Sequence, residues 1–241
     1  MSLNCYAQIP GNPIAYWLSN NVISCFSKGR KLEEYATVRN GLKTGDNEIF
    51  VRYWYEVKDA DSLYNATDFI QAMHSGKTWF PYNKGGEFRR WYGNDYYVLN
   101  WKNKGSRVIG RAKEEKRNVQ DYPDSYKFIP IVTWSLITSS LPSFRFKVGC
   151  ISDICGMSMY SFDADLKYLL AFSNTNISLY ILDALNPTLN YQAGDIGRLP
   201  IVYEESLKEE IDNLSEQNIE IAKDDWDSFE VSWNFKKHPL V

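Results

Sequence analysis

The residues whose types and spacing best suit chemistry lie between positions 77 and 117, where eleven Lys and Arg stand against four Asp and Glu, a net charge of +7. The cations Lys77, Lys84, Arg89, Arg90, Lys102, Lys104, Arg107 and Arg111 are interleaved with Trp79, Tyr82, Trp91, Tyr92, Tyr96 and Tyr97. Cations neutralise phosphates and release counterions, while planar side chains and Arg forks contact bases and sugar edges. The mixture is what a nucleic-acid surface needs. A solvated charged face over core aromatics has the same composition, so the pattern alone leaves both readings open. On the first, the eight cations are the expected DNA contacts, Arg89 and Arg90 the bidentate readers of guanine edges, and Trp79, Tyr82, Trp91 and Tyr92 the residues that shape the surface.

Other constellations are weaker. Glu114-Glu115-Lys116 has the Glu-x-Lys spacing of a metal-dependent nuclease, with Asp95 upstream. That chemistry needs the carboxylates on a buried strand, whereas Arg111 to Arg117 is nearly all charge and fits an exposed turn or helix. His74 and His238 are too few and too distant to complete a zinc site with Cys150 and Cys155, and no metal is expected. No Gly-x-Ser-x-Gly supports a nucleophile. Asn40 to Asn47 lacks the spacing of a phosphate-binding P-loop. Its Asn-Gly and Gly-Asp pairs read first as turn punctuation, and second as a loop whose exposed amides, with Lys43 and Thr44, approach a phosphate.

The elements that must position these residues are of both kinds. With 241 residues, 44% hydrophobic and 24% charged, the chain can bury a substantial core. Asn12-Pro13 followed by Ile14, Trp17, Leu18, Val22 and Phe26 predicts a helix over 12–28, ended by Gly29. Alternation from Ile49 to Val57 predicts a strand with bulky residues on both faces, central in its sheet or facing a partner. Residues 77–134 read as short strands and loops, and 143–162 as two strands around Gly149 and Gly156. Leu166, Leu169 and Leu170, a cap at Ser173 to Thr175, and Ile177 to Leu185 predict a helix pair over 165–186. Gly197 to Ile201 reads as an extended link, and Ser206 with Glu209 as a capping box starting a helix that turns Leu207, Ile211 and Leu214 to one face. The expected class is α+β: an irregular mixed β-sheet flanked by helices, with a β-rich body over 35–162.

Charge divides the chain at about residue 203. Residues 203–230 carry eleven anions and two lysines, so the net −3 of the whole chain is an acidic tail of −9 on a body of +6. Residues 1–202 are therefore expected to form one domain and 203–241 an acidic helical tail. The four cysteines are scattered, no apolar run approaches the roughly 18 residues of a membrane span, and no secretion signal is visible, so a reduced, cytoplasmic protein away from membranes is expected. Met1-Ser2-Leu3 reads as a vector-derived leader on a piece of something longer.

Five stretches together resemble the C-terminal half of the PglX-like adenine-specific DNA methyltransferases of phage-exclusion (BREX) systems: Ile9 to Trp17, Gly41 to Asn47, Trp79 to Gly93, Asn190 to Pro200 and Lys223 to Glu230. The resemblance implies a target-recognition domain that binds double-stranded DNA sequence-specifically. It also implies a separate N-terminal catalytic domain holding S-adenosylmethionine as partner, with other defence-system proteins as further partners. An adenine methyltransferase needs an Asn/Asp-Pro-Pro-Tyr/Phe loop to hold the flipped base. No such tetrapeptide occurs here, and no Gly-rich turn offers a methyl-donor cradle, so this chain is expected to bind no cofactor and catalyse nothing by itself. The alternative is a protein-interaction or scaffold module gripping a partner through its aromatic surface.

Overall fold

A computed structural model of the chain describes residues 9–11, 15–116, 119–139, 141–162 and 166–240. The strands in chain order are β1 (Arg30–Lys31), β2 (Thr37–Arg39), β3 (Val51–Tyr53), β4 (Trp79–Asn83), β5 (Tyr97–Asn100), β6 (Ile131–Ser135), β7 (Arg145–Lys147), β8 (Ile151–Ser152), β9 (Gly156–Tyr160) and β10 (Pro200–Ile201). The helices are α1 (Asn20–Lys28), α2 (Asn47–Phe50), α3 (Phe69–His74), α4 (Lys102–Glu114), α5 (Leu166–Ser173), α6 (Asn176–Leu185), α7 (Ala193–Gly197) and α8 (Lys208–Asp227). Two four-stranded sheets, ordered β3-β5-β4-β8 and β2-β9-β6-β7, form the body, and β1 pairs with β10 in a two-stranded ribbon. The first sheet is mixed, because β4 runs antiparallel to β5 and parallel to β8. This is the α+β architecture expected.

Each sheet has its own core. Val132, Trp134, Met157 and Met159 of the second sheet are buried with Ile23 of α1, Leu169 of α5, Leu182 of α6 and Ile196 of α7. Phe80, Tyr82, Leu99 and Ile151 of the first sheet are buried with Ala72 of α3 and Val108 of α4. Asn83 joins the two, its Nδ2 donating to Thr133 Oγ1 at 2.7 Å and to the Gly156 carbonyl at 3.2 Å. Buried polar groups must find such partners, and here the pairing ties β4 to the neighbouring sheet.

The α5–α6 pair forms as its spacing predicts, with Thr175 Oγ1 accepting the Ser178 amide at 3.1 Å. Elsewhere local caps override the longer patterns. Asn12, Pro13 and Ile14 lie outside the described residues, and α1 begins at Asn20, where the Ser19 hydroxyl accepts the Val22 amide. The strand expected over Ile49 to Val57 shrinks to β3. Asp46 caps α2 by accepting the Ile49 amide, and Glu56 accepts the Tyr53 amide to start a 3-10 turn over Trp54–Glu56. Between 77 and 134 the helix α4 replaces an expected loop, and 143–162 holds three strands rather than two. Gly197 closes α7 instead of opening an extended link.

The acidic segment is packed against the body. Ser206 donates its hydroxyl to Glu204 rather than capping with Glu209, so α8 starts from a 3-10 turn. Its buried face is Ser215, Ile219 and Trp226, while Leu207 and Leu214 stay exposed. Ser215 Oγ donates to the Lys167 carbonyl of α5 at 2.9 Å. Beyond the helix, Trp54 Nε1 donates to the Val231 carbonyl at 2.9 Å, and Trp233 stacks on Tyr64 at 4.8 Å between centroids. Among the described residues no helix is long and apolar enough to cross a membrane.

Candidate nucleic-acid interface

The cations of the 77–117 segment do not form one patch; the fold separates them into two groups. The first, Lys84 and Arg111, meets the loop Lys43 to Asn47. Lys43 and Thr44, Lys84 at the end of β4, and Asp153 and Cys155 of the β8–β9 connection line a cleft of about 250 Å³. An adjoining groove of about 350 Å³ shares Asn47 and Lys84 with this cleft and continues along Arg52, Tyr53 and Tyr97. Arg111 reaches the loop from α4, with its guanidinium 4.0 Å from Asp46 and a second contact to Glu115 at 2.5 Å. Arg107 lies one turn earlier on the same helix face and is exposed, as are Lys102 and Lys104 at the helix entry. Asn103, Lys104 and Gly105 all have positive φ, so the α-helical part of α4 begins only after them. Lys104 Nζ lies 5.5 Å from the Phe69 ring centre.

The loop is held from behind. Gly41 packs against β8 so closely that a Cβ would lie 2.0 Å from the Ser152 carbonyl oxygen, the acceptor of the Leu42 amide at 2.7 Å. Gly41→Ala is accordingly expected to force β8 and the loop apart and to lower the unfolding free energy by about 1–3 kcal/mol; a urea midpoint equal to that of the parent chain would refute this clamp. The amides of Leu42, Lys43 and Asp46 are taken by Ser152, Gln120 and the Thr44 hydroxyl. Thr44 is itself buried and donates to Asn47 Oδ1 at 2.7 Å. These three amides are thus engaged within the chain.

Lys84 is the hinge of the site. Its Nζ is 3.9 Å from Asp153 and 5.8 Å from the centres of both the Tyr82 and Tyr97 rings. Tyr82 was expected on the surface but is buried. Its hydroxyl donates to Asp153 at 2.6 Å and lies 3.0 Å from the Leu42 carbonyl, and burial, then the Asp153 charge, push its pKa well above the ordinary tyrosine value. Tyr82 therefore orients Asp153 from beneath the cleft.

The second group sits across the sheet, under the tail. Arg89 pairs with Asp225 of α8 at 3.1 Å and lies 4.8 Å over the Trp226 ring. To reach a base edge it must leave both. Arg90 keeps a buried Nε with no partner and stacks over the exposed Phe88 at 5.6 Å. Trp91, at φ 72°, bonds through its backbone to Phe144 and Phe146, and its ring is half-buried. Tyr92 lines a separate cleft with Asp95, Lys147 and Trp233, and burial raises the pKa of its hydroxyl. Lys77 is turned to the Ala60 carbonyl, and Trp79 is half-buried at the start of β4.

Three buried cations lie outside these groups. Lys127 bonds Asp121 and Asp124, and Lys147 pairs with Asp95. Arg145 is fully buried and donates only to neutral oxygens; burial pulls its pKa down to about 10, against the opposing pull of Asp95. Asp95 is thereby tied to structural cations, and Glu114 and Glu115 are exposed at the end of α4. Among the described residues no group of three His, Cys, Asp or Glu could hold a metal ion.

Tyr53, which composition did not single out, lines the groove, and Tyr55 lies outside that lining. Tyr53 and Tyr55 are 38% and 63% exposed, and their rings stack at 5.3 Å with an interplanar angle of 8°. Their i, i+2 spacing was visible, but only the break after β3 leaves both rings outside the core.

No protein-family model matches the chain. Across 98% of its length it is 35% identical to "Adenine-specific methyltransferase PglX" of Lacticaseibacillus casei (strain Zhang). Across 99% it is 33% identical to "Adenine-specific methyltransferase BrxX" of Escherichia coli O9:H4 (strain HS). The chain spans about a fifth of each of these relatives, 20% and 19% respectively.

Proposed function

We propose, from the premise that this chain is similar end to end to a one-fifth segment of the PglX-like adenine-specific methyltransferases, that it is a target-recognition module. It reads double-stranded DNA for a methyltransferase of a BREX-type phage-defence system in the cytoplasm. S-adenosylmethionine and the base-holding loop belong to the remainder of such a protein, which also closes on the duplex, so this segment alone binds and does not methylate. The observation that carries the reading is the meeting of Lys43, Lys84 and Arg111 at one open cleft, on a segment similar over nearly its whole length to two adenine-specific methyltransferases. Phosphate contacts from such side chains position a module on DNA, and an Arg fork supplies base readout. Arg90 keeps that second role more readily than Arg89, which is committed to Asp225.

The test is fluorescence anisotropy on a mixed-sequence duplex from about 50 to 200 mM salt, over which several phosphate contacts change affinity by orders of magnitude. Lys104→Ala and Arg107→Ala are each expected to weaken binding on every sequence and to make the log–log salt slope shallower by about 1. Arg90→Ala is expected to act at one base position. Salt-insensitive binding, or slopes unchanged in the α4 variants, would shift the assignment to a protein-interaction module.

A further inference from the structure

Tyr53, Tyr55 and Tyr97 form a continuous ring stack on the groove side of the first sheet. Tyr53 lies 5.3 Å from Tyr55 and 4.9 Å from Tyr97, with interplanar angles of 8° and 30°. The stack begins at Lys84, whose ammonium is 5.8 Å from the Tyr97 ring centre, and ends at Tyr55, whose ring is the most exposed of the three. Tyr97 packs against the core of the first sheet, whereas Tyr53 and Tyr55 are 38% and 63% exposed, so the outer end of the stack serves no core. Their rigidity is built in: Tyr97 and Tyr53 share a hydroxyl contact at 3.5 Å, Glu56 fixes the Tyr53 amide, and Trp54 is anchored to the Val231 carbonyl. The hydroxyl contact with Tyr53 is the main cause that raises the Tyr97 pKa to about 12.

Resting on the DNA-recognition reading above, we infer that this tyrosine ladder is a stacking platform for one unpaired nucleobase of the bound DNA, seated on the exposed face of Tyr55, with the backbone of the neighbouring nucleotides running along the groove toward Lys84. Aromatic faces for the bases beside a cation-bearing groove for the backbone are the arrangement by which proteins hold bases that have left the duplex stack, and it is tolerant of base identity because every base offers a π-face. A fully paired duplex hides those faces, so the ladder is of use only where a nucleotide is extrahelical.

The full chain is titrated against two duplexes of the same sequence, one fully paired and one with a single extrahelical 2-aminopurine, reading anisotropy and 2-aminopurine emission together. The expected result is binding about five- to a hundredfold tighter to the bulged duplex, with quenched emission on binding. Tyr55→Ala is expected to erase both the preference and the quenching while leaving paired-duplex binding unchanged, and Tyr55→Phe to keep both. Equal affinity for the two duplexes, with salt-dependent binding intact, overturns the platform and leaves the recognition reading standing. Absence of binding to either duplex overturns both. Self-association that depends on Tyr55, with no effect of the extrahelical base, assigns the ladder to a second copy of the chain instead.

Discussion

Trp226→Ala is expected to lower the unfolding free energy by about 3–5 kcal/mol, a large share of the roughly 5–15 kcal/mol that a folded domain has. The indole is about 1% exposed, meets Tyr96 edge-on at 5.1 Å, and is covered by the Arg89 guanidinium at 4.8 Å. Gly93 leaves room for it, since a Cβ there would stand 2.9 Å from the indole Cε3. Truncation opens a cavity at the seam between the tail and the body, where side chains on both sides lose their partner. Trp226→Phe should cost less, under about 1.5 kcal/mol, because it also removes an indole N–H that is buried without an acceptor. Urea unfolding followed by far-UV circular dichroism distinguishes these cases. An Ala variant that melts with the parent chain would mean that the tail is not part of the cooperative unit.

A comparable loss, about 3–5 kcal/mol, is expected from Asp95→Ala. Asp95 pairs with Lys147, which is 4% exposed and has the Asn94 carbonyl at 3.2 Å as its other oxygen partner. Removing the carboxylate leaves a buried ammonium unpaired, and it also deprives the fully buried Arg145 of the anion that helps keep it charged. Removal of both partners of the pair is a milder change, because an apolar pair carries no desolvated charge. Asp95→Ala with Lys147→Met is therefore expected to recover part of the loss. Additive losses in the double variant would show that Asp95 acts through some contact other than Lys147.

What the sequence made legible is governed by the range of each interaction. The α5–α6 pair was readable because its cap at Thr175 and its Leu spacing lie within a dozen residues of each other. The helix α4 was not, since it opens with three residues at positive φ and carries few apolar residues between Lys102 and Glu114. Asp46 and Glu56 were visible as acidic residues, but whether each would take a backbone amide and cut the 49–57 alternation was decided by the packing of Phe50 and Val51. The same holds for the candidate site. Lys43, Lys84 and Arg111 were named from charge, and the fold brings them together. Tyr82 and Arg89 were named on the same grounds and are committed elsewhere. All but the first residue of β4 are buried, and the partner of Arg89 lies 136 residues downstream. Composition cannot distinguish an arginine facing a phosphate from one facing a distant aspartate.

The ribbon of β1 and β10 pairs Arg30 with Ile201 and Lys31 with Pro200, and β2 likewise waits for β9 at Met159. The early strands thus have no partner until most of the chain has been synthesised. Contacts this far apart in sequence are closed at a high entropic cost before they return any stabilisation, and folding is correspondingly slow. Within this segment β4 and β5 can pair as soon as both are made, whereas β1 and β2 wait for β10 and β9.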